Sequence, residues 1–417
     1  MRNIKVCIIA KYLFPHDTRL SQQVHILEDY GIPCDIICSF TSDQKKREKL
    51  NYATIYRVTE KKIVQGTFLT YLLSTFRFIF NTFLTLFWLS LKNNYQVIVV
   101  HTLPEFLVFS AILNKLFGTR IILDGRDLTV DLLDSRWSDK KVKVVKKVAI
   151  LLEKWIMCYC DHIITASNGF RQSLINRGVK ADKVSVLINT ADVSIFRYDK
   201  ERFFKPVLNN ARLLYHGTVS ERFGILVAVK AMKIVCEKIP ESRLQIYGWY
   251  DLEYRRKIEQ YIQNEKLESS IFLGNPLPLQ DIYKIIKNSD MGIVPYLSDN
   301  FMNIALSTKS FEYIASGLPV VASRLRSAEE LFDSSCVQYT IPGNPENLAE
   351  NIIQMCLNPE LRSEKRENAY SVFRGQYTSR IQSRKYIRLI AKYLDVEDLI
   401  GLNVPEEVNP VQEATVV

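Results

Sequence analysis

The amino-acid sequence predicts two doubly wound α/β domains, each a parallel sheet with helices on both faces. Three observations carry this. The chain has 417 residues, and a single core rarely grows past about 250–300, so the length asks for two domains. Short apolar runs alternate with amphipathic stretches from end to end, the pattern of parallel strands joined by helical crossovers. The alternation is interrupted by a polar, irregular stretch at 192–210, which divides it into two series. Apolar residues make up 47% and charged residues 24%, enough for two cores and too apolar for disorder over most of the chain.

In the first series, residues 6–10, 34–39, 97–101, 120–124 and 162–166 read as short buried strands. Residues 19–30, 106–117 and 142–159 lie between them with apolar side chains at helical spacing. The second series has strands at 213–215, 244–247, 271–273, 291–294 and 319–322, again separated by helical patterns. The expected domains are therefore 1–200 and 201–376, with a last helical segment at 377–394. The tail 401–417 holds Pro405 and Pro410 among mixed polar residues and is expected to be disordered. Ligands of open α/β sheets bind at the carboxyl ends of the strands, so a cleft between the domains is the expected site.

Charge is uneven. Lysine and arginine number 55 against 45 acidic residues, a net charge of +10, and the excess lies before residue 201. A basic first half favours an acidic surface or ligand and gives no particular sign of nucleic acid. The eight cysteines include no pair at zinc-knuckle or thioredoxin-like spacing, and no cluster of histidine and acidic residues argues for a metal. Buried thiols in a reducing compartment and no signal-peptide pattern predict a cytoplasmic protein.

One segment carries most of the chemistry: Asn303-Ile-Ala-Leu-Ser-Thr-Lys-Ser-Phe-Glu-Tyr-Ile-Ala-Ser-Gly-Leu-Pro-Val-Val-Ala-Ser323. Ser307 or Thr308 can cap a helix that ends near Gly317. The start of such a helix offers unpaired amides and a positive dipole end, suited to phosphate. Lys309 falls in the first turn, against the dipole preference, which makes sense beside a bound anion. Glu312, a turn further on, would reach a sugar hydroxyl of a nucleotide lying along the helix. A plainly capped helix with solvated Lys309 and Glu312 explains these residues about as well.

This segment resembles the donor-binding stretch of glycosyltransferase family 4, retaining sugar transferases built from two Rossmann-like domains facing a cleft, the GT-B fold. Four further segments match in order: Tyr215-His216-Gly217, residues 244–248, Phe272-Leu273-Gly274, and Ser289-Asp290-Met291-Gly292-Ile293-Val294-Pro295. The resemblance implies that Glu312 binds the donor ribose and that backbone amides at Ala305, Leu306, Ser307 and Thr308 cradle the diphosphate. Gly217, Gly248 and Gly274 would close the strand ends on the donor side, with Gly217 admitting the phosphates. It also implies that helix 377–394 returns to complete the first domain, and that no metal ion or other cofactor is required.

The sequence departs from the family at several points. Thr218 follows the glycine where the family has arginine, leaving Arg222 as first candidate for the missing charge and Lys309 as second. The family's other glutamate would fall at Ile304, so the sugar is not specified; Asn303 is the candidate replacement. In the first domain Asp124-Gly-Arg126-Asp127 ends a strand, with Arg126 where the family has histidine. Arginine can stabilise phosphate but cannot act as a base at neutral pH. The strand-end location favours this functional reading over the alternative, a local ion-pair cluster of Asp124, Arg126 and Asp127. Asp17 and Arg19 either face the cleft or cap a helix, and His101 is structural or faces the acceptor.

Residues 68–91 hold 16 apolar residues in 24, six of them phenylalanine. The polar residues Thr70, Ser74, Arg77, Asn81 and Thr85 share one stripe, so a surface or core helix is expected rather than a transmembrane one. Lys140, Lys141, Lys143, Lys146, Lys147 and Lys154 lie amid apolar residues, the pattern of a basic amphipathic helix at an anionic membrane. The expectation is a retaining glycosyltransferase, hexosyl or N-acetylhexosaminyl, peripheral on the inner face of the cell membrane. It would take a nucleotide-sugar, first of all a UDP-sugar, and a saccharide or polyprenyl-linked acceptor in surface polysaccharide synthesis such as capsule or O-antigen. A nucleotide-sugar epimerase of the same fold, or a non-catalytic nucleotide-binding scaffold at the membrane, are the alternatives.

Overall fold

The structure is a computed structural model that describes residues 5–61, 68–136, 142–202 and 204–396. Contacts divide the chain into two units. One runs to Ile188 and takes up the chain again from Gln382; the other is Asn189–Ile381. The tail 401–417, Lys140 and Lys141 lie outside the described residues, as do the side chains of Lys143 and Lys146.

The first apolar run becomes β1 (Lys5–Leu13), at the centre of an eight-stranded sheet. It is followed in sequence by β2 (Cys34–Phe40), β3 (Arg47–Lys49), β4 (Ala53–Glu60), β5 (Tyr95–His101), β6 (Arg120–Gly125), β7 (His162–Thr165) and β8 (Val184–Val186). The order across the sheet is β3-β4-β2-β1-β5-β6-β7-β8. All pairs are parallel except β3 with β4. Ile8 stands opposite Ile36 on one side and Val99 on the other, and all three are fully buried. Covered faces are why the central strands read as unbroken apolar runs rather than alternating ones. One strand in from the edge, β4 does alternate, burying every second residue of Ala-Thr-Ile-Tyr-Arg-Val-Thr.

The second unit holds β9 (Arg212–His216), β10 (Arg243–Tyr247), β11 (Ile271–Gly274), β12 (Met291–Val294), β13 (Val320–Ser323) and β14 (Gln338–Thr340). They form one parallel sheet in the order β11-β10-β9-β12-β13-β14. In each sheet the chain starts centrally, works outward on one side, then crosses to the other. The reversal falls between β1 and β5 in one unit and between β9 and β12 in the other, and crevices open at such switch points.

The division between the units differs from the expected 200/201 at the first crossing. Residues 189–200 pack on the second unit. Phe196 sets its ring edge-on to Tyr283 at 6.3 Å, the Tyr283 hydroxyl donates to the Arg197 carbonyl, and Tyr198 stacks on Tyr370 at 3.7 Å. An irregular, polar-looking stretch is thus anchored by three aromatic contacts that its composition conceals. The final helix, Ser379–Leu394, gives Tyr386, Ile387, Ile390, Ala391 and Leu394 to the core that also contains Val6, Ile8 and Ile36. Burying a side chain such as Ile387 contributes roughly 1.5–3 kcal/mol, so the first unit is incomplete without the end of the chain. Strands β3, β4, β8 and β14 are not among the sequence expectations.

Helix Phe68–Ser90 joins β4 to β5. Its core-facing stripe is Thr75, Phe78, Thr82 and Leu86, each fully buried. Of the polar stripe, Thr70, Ser74 and Arg77 are exposed, while Asn81 donates to the Val58 carbonyl and Thr59 of β4, and large apolar side chains also point outward.

Candidate functional site

In the second unit the ends of β9, β10 and β11 meet through their glycines. Gly217 N–H donates to the Tyr247 carbonyl (2.8 Å), and Gly248 N–H to the Gly274 carbonyl (3.3 Å). A Cβ on Gly248 would lie 1.7 Å from the Gly217 carbonyl oxygen, so the two turns stack at a distance that any side chain forbids. Gly217 has φ +113°, and a Cβ there would lie 2.4 Å from Cε and 2.8 Å from Nζ of Lys309. The glycine turn and the lysine therefore occupy one space.

Lys309 is in the first turn of helix Thr308–Ala315 and is buried. Its Nζ donates to the Tyr296 hydroxyl at 2.8 Å and lies 5.2–5.3 Å from the ring centroids of Tyr215, Phe223 and Tyr296. The ion pairs found among the described residues give it no carboxylate partner. Three aromatic faces and one hydroxyl stabilise a cation but leave its charge uncompensated. Ser307 is the N-cap residue, yet its side chain accepts no bond from the helix; its hydroxyl lies 3.3 Å from that of Tyr296. The first-turn amides of Thr308, Lys309 and Ser310 thus keep no side-chain cap, and they sit beside a buried positive charge. At the other end Gly317, at φ +71°, closes the helix as expected. Leu318 N–H bonds the Tyr313 carbonyl and Gly317 N–H that of Ile314.

The helix is held over the sheet by Tyr313. Its ring lies on Gly292, where a Cβ would come within 2.3 Å, and its hydroxyl donates to the Leu214 carbonyl. This brings Glu312 to His216, with Oε2 and Nε2 3.1 Å apart and both side chains largely buried. The contact lacks hydrogen-bond alignment, and neither atom has another hydrogen-bond partner among the described residues. Two buried polar atoms side by side and unsatisfied are a place where a hydroxyl-bearing ligand restores the missing bonds.

The first unit collects its polar residues at the carboxyl ends of β1, β5 and β6. Arg19 forks onto Asp124 (Nε to Oδ2 2.8 Å, Nη2 to Oδ1 2.7 Å) and donates to the Leu187 carbonyl. Gln23 Nε2 donates to Asp124 Oδ2 (2.6 Å). His101 Nε2 lies 2.9 Å from Gln23 Oε1, and its Nδ1 lies 2.9 Å from Arg126 Nη2. Arginine can only donate, so Nδ1 accepts and Nε2 carries the proton. Burial pushes the His101 pKa down to about 3 against the pull of Asp124, so the ring is neutral. Arg126 binds Asp17 through both terminal nitrogens (2.6 and 2.5 Å) and stacks over Tyr12. Asp17 in turn caps helix Thr18–Asp29 through Leu20 N–H.

Both halves of the chain match known protein families. The family described as Glycosyltransferase Family 4 matches residues 21–194, and the family described as Glycosyl transferases group 1 matches residues 197–372. The chain belongs to the GT-B glycosyltransferases of the family 4 type. An uncharacterized glycosyltransferase of Methanocaldococcus jannaschii is 22% identical over 66% of this chain and 80% of that protein. The amylovoran biosynthesis glycosyltransferase AmsK of Erwinia amylovora is 24% identical over 46% of this chain and 47% of its own length. Among solved structures, sucrose-phosphate synthase from Thermosynechococcus elongatus has a TM-score of 0.73 at 13% identity, covering 94% of this chain and 99% of that one. The Anabaena protein HepE, in complex with UDP and glucose, has a TM-score of 0.69 at 12% identity, covering 93% and 100%.

Within this glycosyltransferase the residues singled out from sequence fall into distinct settings. Lys309, Gly217, Gly248, Ser307, Thr308 and Glu312 converge around the turn after β9. Gly274 belongs to the packing beneath it, its Cα against the rings of Tyr247 and Phe272. Leu306 leads into the helix. Ala305 does not offer its amide, which already bonds the Phe301 carbonyl at 2.9 Å. Asn303 spends its side chain on protein partners, donating to Ser298 and the Asp299 carbonyl of its own loop and accepting from Arg326 N–H at a later helix start. It is thus a loop brace rather than the sugar ligand that would replace a glutamate. Arg222 approaches Asp299 at 3.9 Å and lies over Phe301, so geometry reverses the sequence ranking and puts Lys309 ahead of it. Arg126 and Asp124 are members of a compensated ion network with Asp17 and Arg19, rather than of a local cluster with Asp127. Asp127 lies near Tyr12. Sequence reasoning missed His216 and the cage residues Tyr215, Phe223 and Tyr296. The signal for His216 was its place directly before Gly217; the cage had none, since its rings come from three separate segments.

Proposed function

We propose that this glycosyltransferase moves a sugar with retention from a UDP-sugar to a hydroxyl of a saccharide or lipid-linked saccharide in surface polysaccharide synthesis. The observation that carries the donor reading is Lys309, a buried cation with no carboxylate partner among the described residues, interlocked with Gly217 at an uncapped helix start. A nucleoside diphosphate supplies the missing negative charge, and the first-turn amides add donors. Glu312 and His216 then take the ribose hydroxyls. UDP as the nucleotide is supported by HepE, a structural neighbour in complex with UDP and glucose; the polysaccharide acceptor by AmsK, an amylovoran biosynthesis enzyme. The basic first unit receives the acceptor.

In this reading the bond from the sugar C1 to the phosphate oxygen breaks as the acceptor oxygen bonds C1 on the same face. The acceptor proton passes to the leaving phosphate oxygen. The phosphate serves as base, in keeping with the resemblance, which puts Ile304 at the position of the family's other glutamate. Lys309 stabilises charge as it develops on the diphosphate, the kind of interaction typically worth about 3 kcal/mol in the transition state. Diphosphate charge is met by protein groups, so transfer is expected to persist in EDTA.

The test is a thermal-shift panel of UDP, GDP and their sugars on wild type and Glu312→Ala. Ligand at a hundredfold excess over Kd adds about 2.7 kcal/mol to stability. A shift with UDP and UDP-sugars that is lost in Glu312→Ala is the expected result. A shift with GDP alone would overturn the base assignment, and no shift with any nucleotide would overturn the donor site.

A further inference from the structure

The first unit turns a broad apolar face outward. On helix Phe68–Ser90, Leu73, Phe76, Phe80 and Trp88 are each at least 60% exposed. The neighbouring segment ends in Leu116 and Phe117, 76% and 88% exposed, and helix Val142–Tyr159 adds Leu151 and Trp155, 60% and 71% exposed. These elements adjoin one another. Phe76 stacks on Phe106 at 6.3 Å, and Phe109 of the same 3₁₀ segment, Glu105–Ala111, packs against Tyr159 at 5.3 Å. Single exposed apolar residues are ordinary; a run of them across adjoining helices marks an interaction surface.

We infer that this face docks on an anionic lipid bilayer, its aromatic and leucine side chains entering the headgroup boundary and the surrounding basic residues holding the surface. Charge selects this partner. From Lys61 to Leu123 the sequence has one acidic residue, Glu105, which is buried and bonded to Thr129. Helix Val142–Tyr159 also has one, Glu153, buried on Arg177. Asp161, just beyond it, is paired with Lys115 and Arg120. Among the described side chains, the exposed charges on the helices of this face are Arg77, Lys147 and Lys154, with Lys92 just past the first helix, all positive. A symmetric dimer through this face would set these like charges against each other, whereas an anionic surface attracts them. Aromatic residues above a basic rim are the composition of interfacial helices.

The helix lies on the bilayer rather than across it. Residues Thr70–Ser90 are long and apolar enough to span, but the helix joins two strands of one sheet. It is tied to that sheet by Asn81 on β4 and by Lys11 of β1, whose Nζ donates to Ser74 and Thr75. The inference is independent of the donor assignment, and its test uses no nucleotide.

The experiment is vesicle flotation of the full chain with phosphatidylcholine alone and with an equal mixture of phosphatidylcholine and phosphatidylglycerol. Binding to the mixed vesicles, weakened by salt, is expected. Phe80→Glu with Trp88→Glu should cut partitioning at least tenfold at unchanged melting temperature, and Leu151→Ser with Trp155→Ser provides an independent pair on the second helix. Lys147→Glu with Lys154→Glu should reduce binding by roughly 30-fold or more, on anionic vesicles alone. Absence of binding to anionic vesicles, binding indifferent to both apolar pairs, or a solution dimer that those pairs split into monomers would each overturn the inference.

Discussion

Replacing Lys309 by methionine separates the two uses of a buried lysine. Methionine has similar length and makes favourable contacts with aromatic rings, so it fits among Tyr215, Phe223 and Tyr296. The substitution forfeits the charged bond to Tyr296, about 1.5–3 kcal/mol, and the ring interactions, up to ~2 kcal/mol. It also removes the burial of a charge that no carboxylate compensates, a penalty of several kcal/mol. Tyr296 keeps Ser307 within reach at 3.3 Å. These opposing terms leave the ligand-free protein within about 2 kcal/mol of wild type, a Tm change of only a few degrees for a unit of this size. Function behaves differently. Loss of one cation aimed at the leaving diphosphate lowers kcat/KM by roughly 100- to 1,000-fold and weakens UDP binding. Differential scanning calorimetry of the ligand-free protein, UDP titration calorimetry and a transfer assay together read this out. A Tm drop above about 10 °C with UDP affinity and kcat/KM retained would show that the lysine is there for the fold, and would refute the argument.

Three other predictions follow from single geometries. His216→Ala should weaken UDP binding and erase the preference for UDP over 2′-deoxy-UDP, measured by titration; undiminished discrimination would remove His216 from the ribose site. Gly248→Ala should destabilise the second unit by about 3 kcal/mol or more, because its Cβ meets a backbone oxygen rather than a movable side chain; chemical denaturation checks this, and a wild-type midpoint would contradict it. Burial lowers the His101 pKa to about 3, while in the unfolded chain it is near 6.5. The unfolded state therefore binds the proton first, and stability is full above about pH 6.5 and falls as pH drops toward 3. His101→Gln should flatten that part of the Tm–pH curve. It should leave the contribution of His162, which burial lowers to about 4; an unchanged slope would show that His101 is not the linked group.

The sequence by itself determined the two doubly wound units, because strands buried on both faces must be apolar along their whole length and cannot be mistaken for surface elements. It also located the helix Thr308–Ala315 and its closing Gly317, since capping chemistry is local. It did not locate β3, β8 or β14, three residues each, which are too short to carry a period, nor β4, whose alternating residues lack the unbroken apolar run of the central strands. The edge of the first unit was missed at 189 for a related reason: Phe196 and Tyr198 are isolated aromatics whose partners lie far along the chain. Tertiary structure alone decided which cation matters. Lys309 and Arg222 look alike in sequence, and only folding encloses the first among three rings while setting the second near Asp299. It likewise decided that the apolar side of helix Phe68–Ser90 faces outward, because periodicity fixes which residues share a face but not which face the sheet covers.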